Sequence, residues 1–354
     1  MTASTDAPST PGATSGQVDA LLVLSFGGPE GQDDVIPFLE NVTRGRGIPR
    51  ERLEEVATHY RHLGGRSPIN DLNREIIANV EAELADRGRD LPVYFGNRNW
   101  TPMAEDTVRQ MVADGVRNAA VFATSAWGGY SGCAQYQEDI ARARDQVEGA
   151  PTMVRLRQFY DHPLFIERFA SDLREAIASA AAGARVIFTA HSVPTSADEA
   201  AGPPSLGGHL YSRQVAEASR LVAEAAGVAD YDLVWQSRSG PPSVPWLEPD
   251  VVDHVSELAT SQGVTDVVIV PIGFISDHVE VIWDLDTELV DEVRELGVTV
   301  TRCATPGPSR EFARMVLELL DEVETGSAQD RPGSVPALGR NRDGARCALG
   351  CCGG

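Results

Sequence analysis

Lysine is missing altogether. All 30 basic residues are arginine, set against 52 acidic ones, which leaves a formal net charge of −22 over 354 residues. A chain this acidic is not built to hold nucleic acid or an anionic membrane, because both would be repelled. The arginine bias itself follows from GC-rich coding and needs no functional cause. Long apolar runs are also missing: none reaches the roughly 18 residues of a membrane span. Residues 1–17 are small and polar, without the basic start and apolar block of a secretion signal. They are expected to form a disordered leader, with the protein in the cytoplasm. Cysteine is scarce, with only Cys133, Cys303, Cys347, Cys351 and Cys352. Structural disulfides are not expected in a reducing compartment.

What is present is enough apolar residue, 42% of the chain, to build sizeable cores, and enough length for about two domains. Strand-like runs at 20–26, 91–95, 119–124 and 152–156 alternate with helical patterns. A second set falls at 185–190, 231–235, 266–271 and 298–301. Helical stretches include 71–87, 103–114, 162–182, 208–226 and 248–261. Strand–helix alternation predicts an α/β fold with two four-stranded parallel sheets covered on both faces. The expected units are 18–165 and 166–324, followed by a tail, 325–354, that ends RCALGCCGG. Ligands in such sheets bind beyond the C-terminal strand ends. That rule selects Ser25-Phe26-Gly27-Gly28, Thr124-Ser125-Ala126-Trp127, His191, Gln236-Ser237-Arg238 and Gly273-Phe274, all expected to face one cleft between the halves.

The segment 273–288, GFISDHVEVIWDLDTE, carries Glu280, Asp284 and Glu288 four residues apart. On a helix these fall along one stripe, where like charges repel unless a cation relieves them. The stripe also suits the solvated face of an amphipathic helix, with Val281, Ile282, Leu285 and Leu289 buried. The strand end and turn before it, PIGFISDH, place Glu280 at the cleft. His191, just past an apolar run, is a side chain that accepts protons or ligates metal near neutral pH. The glycine-rich FGGPEG lacks the order of a dinucleotide fingerprint and reads as a tight turn beside a flat ligand. Arg44, Arg46, Arg50, Arg52, Arg61 and Arg66 crowd one region, suited either to gripping an anionic small molecule or to pairing with nearby glutamates. The three thiols of the tail, with Cys133 or Cys303 as a fourth, would satisfy an iron–sulfur cluster of the 2Fe–2S type or zinc.

LLVLSFGGPE, GGRSPIN, TAHSVP and GFISDHVEVIWDLDTE resemble the signature segments of ferrochelatases, and the resemblance runs from about residue 18 to 323. It implies two Rossmann-like, chelatase-type domains with a porphyrin cleft between them. By that resemblance His191 and Glu280 flank the metal, and Asp284 and Glu288 lie on a metal relay. Ser67 and Tyr136 would contact the porphyrin. Phe26 stands where some relatives carry a tyrosine near the metal, and phenylalanine cannot ligate. The chain is also similar to the actinobacterial branch, whose substrate is coproporphyrin III. Its four propionates ask for more cationic contacts than the two of protoporphyrin, and Arg44 and Arg46 are the candidates. Cluster-bearing members use one cysteine of the first domain, which makes Cys133 the expected partner of Cys347, Cys351 and Cys352. The implied function is insertion of Fe(II) into coproporphyrin III by a monomer. A protoporphyrin IX enzyme, a chelatase for another tetrapyrrole and a non-catalytic porphyrin carrier are the alternatives.

Overall fold

The computed structural model describes residues 17–240, 243–327 and 331–353. Nearly all of the expected leader, 1–16, therefore lies outside the described residues. Two sheets form, each of four parallel strands. The first comprises β1 (Ala20–Ser25), β2 (Val93–Asn97), β3 (Asn118–Ala123) and β4 (Thr152–Arg155), in the spatial order β2-β1-β3-β4. The second comprises β5 (Arg185–His191), β6 (Asp232–Gln236), β7 (Asp266–Val270) and β8 (Thr299–Arg302), in the order β6-β5-β7-β8. The two sheets thus repeat one topology, as the α/β reading predicts.

Strand alternation explains the layering. On β1, Leu21 and Val23 face a large central core, while Ala20, Leu22 and Leu24 face an outer one with Val108 and Ile140. On the second sheet Phe188, Val268 and Val270 join the central core, and Ile187, Val267 and Ile269 face their own outer core. The central core is shared by both halves, so each sheet is buried on both faces and its strands read as continuous apolar runs. The helix Arg310–Thr325 belongs to the second half by sequence, yet it packs on Ile69–Asp86 of the first.

In each sheet the strand order reverses between the first and third strands, β1 and β3 or β5 and β7. Chain connections leave in opposite directions there and open a crevice at the C-terminal strand ends. The two crevices face each other. A hairpin of the helices Val35–Val42 and Arg50–His62 covers one side, and the C-terminal end of its second helix reaches the second half, where His59 stacks on Trp283 at 4.1 Å. Residues 331–353 run along the outside as a strap. Val154 and Arg342 form a β-bridge in the first half, and Gln214 of the second half donates to the carbonyl of Pro336.

Candidate active site

The cleft between the sheets has a volume of about 740 Å³ and is lined from both halves. His191 is the last residue of β5, where its backbone pairs with Gln236. The phenol of Tyr211 donates to its carbonyl at 2.7 Å. Its Nδ1–H donates to the carbonyl of Ser192, which turns Nε2 toward Glu280, 3.5 Å from Oε2. Glu280 sits in the first turn of the short helix Val279–Ile282, which follows the exit loop of β7. Gly273 in that loop makes the approach possible: a Cβ there would lie 2.6 Å from the Cβ of Ala190. The loop carbonyl also accepts from Trp127 Nε1 of the first half at 2.8 Å, which ties the two crevices together.

The two side chains are deep in the fold but open onto the cleft, with 37% of the His191 side chain and 49% of Glu280 accessible. Burial opposes charge on both. For His191 it is outweighed by Glu280, the Ser192 carbonyl and Asp284, so the imidazole pKa rises above its ordinary 6.5. For Glu280 it is outweighed by the hydrogen bond and charge of His191, with His278 and His59 adding to them, so its pKa falls to about 2. The carboxylate is ionised throughout the neutral range, beside an imidazole that tends to be protonated.

Asp284 is the next acid along. Burial, with Glu280 and Glu288 adding to it, pushes its pKa to about 7, against hydrogen bonds from Ser237 and Gln236 that favour the anion. Ser237 reaches it from a left-handed backbone, φ 62°, at the end of β6. Glu288 is exposed and its pKa is raised, by partial burial and by Asp250 and Glu292. Neither Asp284 nor Glu288 lines the cleft itself; both lead away from it. The helix that carries them is not a plain α-helix as the sequence reading supposed. Trp283–Glu288 winds as a π-helix between the α-helical Val279–Ile282 and Leu289–Arg294. Bonds from i to i+5 widen each turn, so residues four apart stay close to one line instead of drifting round the axis. Ile282, expected on the buried face, is only half-buried, whereas Val281, Leu285 and Leu289 are fully buried.

Phe26, Ser67, Tyr136 and Arg46 line the cleft, as expected of porphyrin contacts. Arg44 does not: it is exposed and donates to Asn41. Arg50, Arg52, Arg61 and Arg66 are also turned outward, paired with Glu40 or Glu54, Glu55, Glu54 and Asp71. The arginine patch is thus largely a solvated network, and the reading of it as an anion grip is corrected to Arg46 alone. Arg98, which the sequence reading did not single out, does line the cleft. It is held by Asp139 at 2.6 Å and Gln135, and it lies over the ring of Tyr136, while Nη2 has no partner.

Among the described residues no three His, Cys, Asp or Glu side chains are grouped as ligands of one metal ion, so a ready-made metal site does not bear out the expected cluster. Cys133, Cys351 and Cys352 are nevertheless all buried near Ala134, with Cys347 packed against them and the Cys351 and Cys352 sulfurs 3.6 Å apart. Cys303 belongs to the central core instead, which removes it as a fourth ligand.

The same two-sheet fold occurs in Bacillus subtilis SirB with Fe3+ (TM-score 0.53, 15% identity, 88% of this chain and 97% of that one). It also occurs in the sirohydrochlorin chelatase SirB of subspecies spizizenii in complex with cobalt (TM-score 0.50). The fold is therefore of the chelatase type. Residues 18–324 match the sequence model of the ferrochelatase family, and the chain belongs to that family. Among its relatives is a coproporphyrin III ferrochelatase of Nocardia farcinica, 62% identical over 95% of this chain and 96% of that one. Another, of Corynebacterium glutamicum strain R, is 58% identical over 96% and 93%.

Proposed function

We propose that the protein inserts Fe(II) into coproporphyrin III, with residues 18–165 and 166–324 as the two walls of the site. The observation that carries this reading is the His191–Glu280 pair, 3.5 Å apart at a cleft of about 740 Å³. Insertion has to remove two pyrrole protons while a dication enters. In its neutral form His191 takes one of them at Nε2, and ionised Asp284, with Glu288 beyond it, takes the other toward solvent. The anion of Glu280, beside Asp284, offers a dication the negative charge that the macrocycle lacks until it is deprotonated. Ser67 and Tyr136 bind the macrocycle, Phe26 supplies an apolar wall, and Arg46 and Arg98 meet propionates. Asp284 and Glu288 form the relay. Binding energy from the remote propionates is available to bend the ring and expose its nitrogen lone pairs. The protein acts as a monomer in the cytoplasm; among the described residues no helix is long and apolar enough to cross a membrane.

An anaerobic absorbance assay with Fe(II) and either coproporphyrin III or protoporphyrin IX tests the reading. Conversion of the first at a higher kcat/KM is expected. Tight binding of both porphyrins without conversion of either would make the protein a carrier.

The surroundings of Asp284 and His191 imply a pH dependence. Asp284, near 7, and His191, above 6.5, both reach their working, deprotonated forms as pH rises. Insertion should therefore climb as pH rises through about 7, the value for Asp284, with the raised His191 ionisation adding a second step to the acid limb. Asp284→Asn should reduce that limb to one ionisation. A profile of kcat/KM for iron that is flat across the neutral range would contradict the assignment.

We also read Cys133, Cys347, Cys351 and Cys352 as ligands of a 2Fe–2S cluster. The donor set fits, with four thiols and amide or guanidinium N–H groups aimed at three of them. When bound, the cluster supplies one-electron redox chemistry and a covalent tie between the tail and the first half.

A further inference from the structure

Arg155, at the end of β4, is among the largest fully buried side chains of the described residues, at 1% exposure. Its neighbour Arg157 is matched by Glu322 and Asp161. Arg155 has no such match: among the described residues it makes no ion pair with a carboxylate. Nη1 donates to the sulfur of Cys133 at 2.9 Å and to its carbonyl at 3.2 Å, Nη2 donates to the carbonyl of Gly132, and Nε has no partner. A buried cation without an anion is strongly disfavoured. The nearest groups able to become anionic are the thiols. Two of these have donors of their own: Asn341 Nδ2 is 3.1 Å from the sulfur of Cys347, and the Gly202 amide is 3.3 Å from that of Cys352. Neutral thiols gain little from these donors, whereas metal-bound thiolates are stabilised by each of them.

We infer that Arg155 is the buried counter-cation of the metal group held by Cys133, Cys347, Cys351 and Cys352, and that with Asn341 as a second donor it raises that group's reduction potential. This rests on the cluster reading above. A reduced cluster carries one more negative charge than an oxidised one, so a fixed cation beside a ligating sulfur favours reduction. The face of the same guanidinium lies 5.6 Å from the ring centre of Tyr136, whose other neighbour is Arg98 of the cleft. The thiols thus stand directly behind the porphyrin wall.

The test uses the full chain, purified and reconstituted without oxygen. Iron and acid-labile sulfide analysis of the wild type decides the cluster reading by itself. Absence of both overturns that reading, and the role of Arg155 with it. With a cluster present, spectroelectrochemical titration of Arg155→Met should show the midpoint moved negative. At least a tenfold change in the redox equilibrium is expected, about 59 mV for one electron. Arg155→Lys, which keeps the charge, should move it less. Asn341→Ala lies on the half-buried tail outside the sheet. It should shift the potential in the same direction by a smaller amount, and it serves where Arg155→Met does not fold. An unchanged midpoint in Arg155→Met, or in Asn341→Ala if only that variant loads, overturns the inference and leaves the cluster standing.

Discussion

Replacing His191 by Ala should lower iron insertion by about 10²- to 10⁴-fold, the range for loss of a positioned acid–base group, while coproporphyrin still binds. The two effects separate because of where the side chain sits. Cleft walls also come from Phe26, Ser67, Tyr136 and Trp246, on other elements of the fold. The position of His191 is set by its backbone, through the β5–β6 pairing and the Tyr211 hydrogen bond to its carbonyl, and both survive truncation at Cβ. Porphyrin affinity, followed by fluorescence quenching, should therefore change little, and added imidazole should restore part of the rate. Near-normal turnover would remove His191 from the chemistry. A parallel loss of porphyrin binding would make its role one of shape.

Much of this site was legible because strands buried on both faces announce their ends. The apolar run through Ala20–Ser25 stops where the chain turns into the cleft, and likewise for β3, β5, β6 and β7. Reading the residues after each run found Phe26, Thr124, His191 and Gly273. After β6 the rule failed: Ser237 meets Asp284 and Arg238 meets Glu248, and neither lines the cleft. It also passed over one residue, and there the cause is a boundary. The strand read at 91–95 forms at Val93–Asn97, so the residue past its end is Arg98, a cleft cation that went unmarked. The arginine patch misled because the partners of Arg50 and Arg66 include Glu40 and Asp71, acids brought close by folding as much as by helical spacing.

The π-helix was missed, though its signal was present. Val281, Leu285, Leu289 and Val293 are all fully buried and spaced strictly by four. An α-helix would turn such a column about 40° at each step and carry its end out of the core. A strict four-residue column buried throughout therefore asks for a wider winding. The acids at 280, 284 and 288 inherit the straight line that their apolar neighbours impose. The gathering of the tail thiols against Cys133 had no such signal. It depends on the path of residues 331–353 across both halves, which no local pattern encodes.

Glu280→Gln should cost at least about 100-fold in kcat/KM for Fe(II), and it should displace the pH profile in a direction that His191→Ala cannot. The amide keeps the shape of the side chain and removes the charge that binds a dication, so the loss falls first on iron affinity. The same charge holds the His191 pKa up. Without it, burial is opposed only by the Ser192 carbonyl and the more distant Asp284, and the imidazole pKa falls. Asp284 also moves down, because Glu280 is one of the charges that raise it. Both ionisations of the acid limb should therefore shift to lower pH in Glu280→Gln, so that the residual rate reaches its plateau in more acidic solution than in the wild type. Glu280→Asp, which keeps the charge on a shorter arm, should regain part of the iron affinity and leave the limb near its original position. A limb that stays fixed in Glu280→Gln would mean that the carboxylate and the imidazole do not share a proton field, and a pair working on metal and protons together would no longer be tenable.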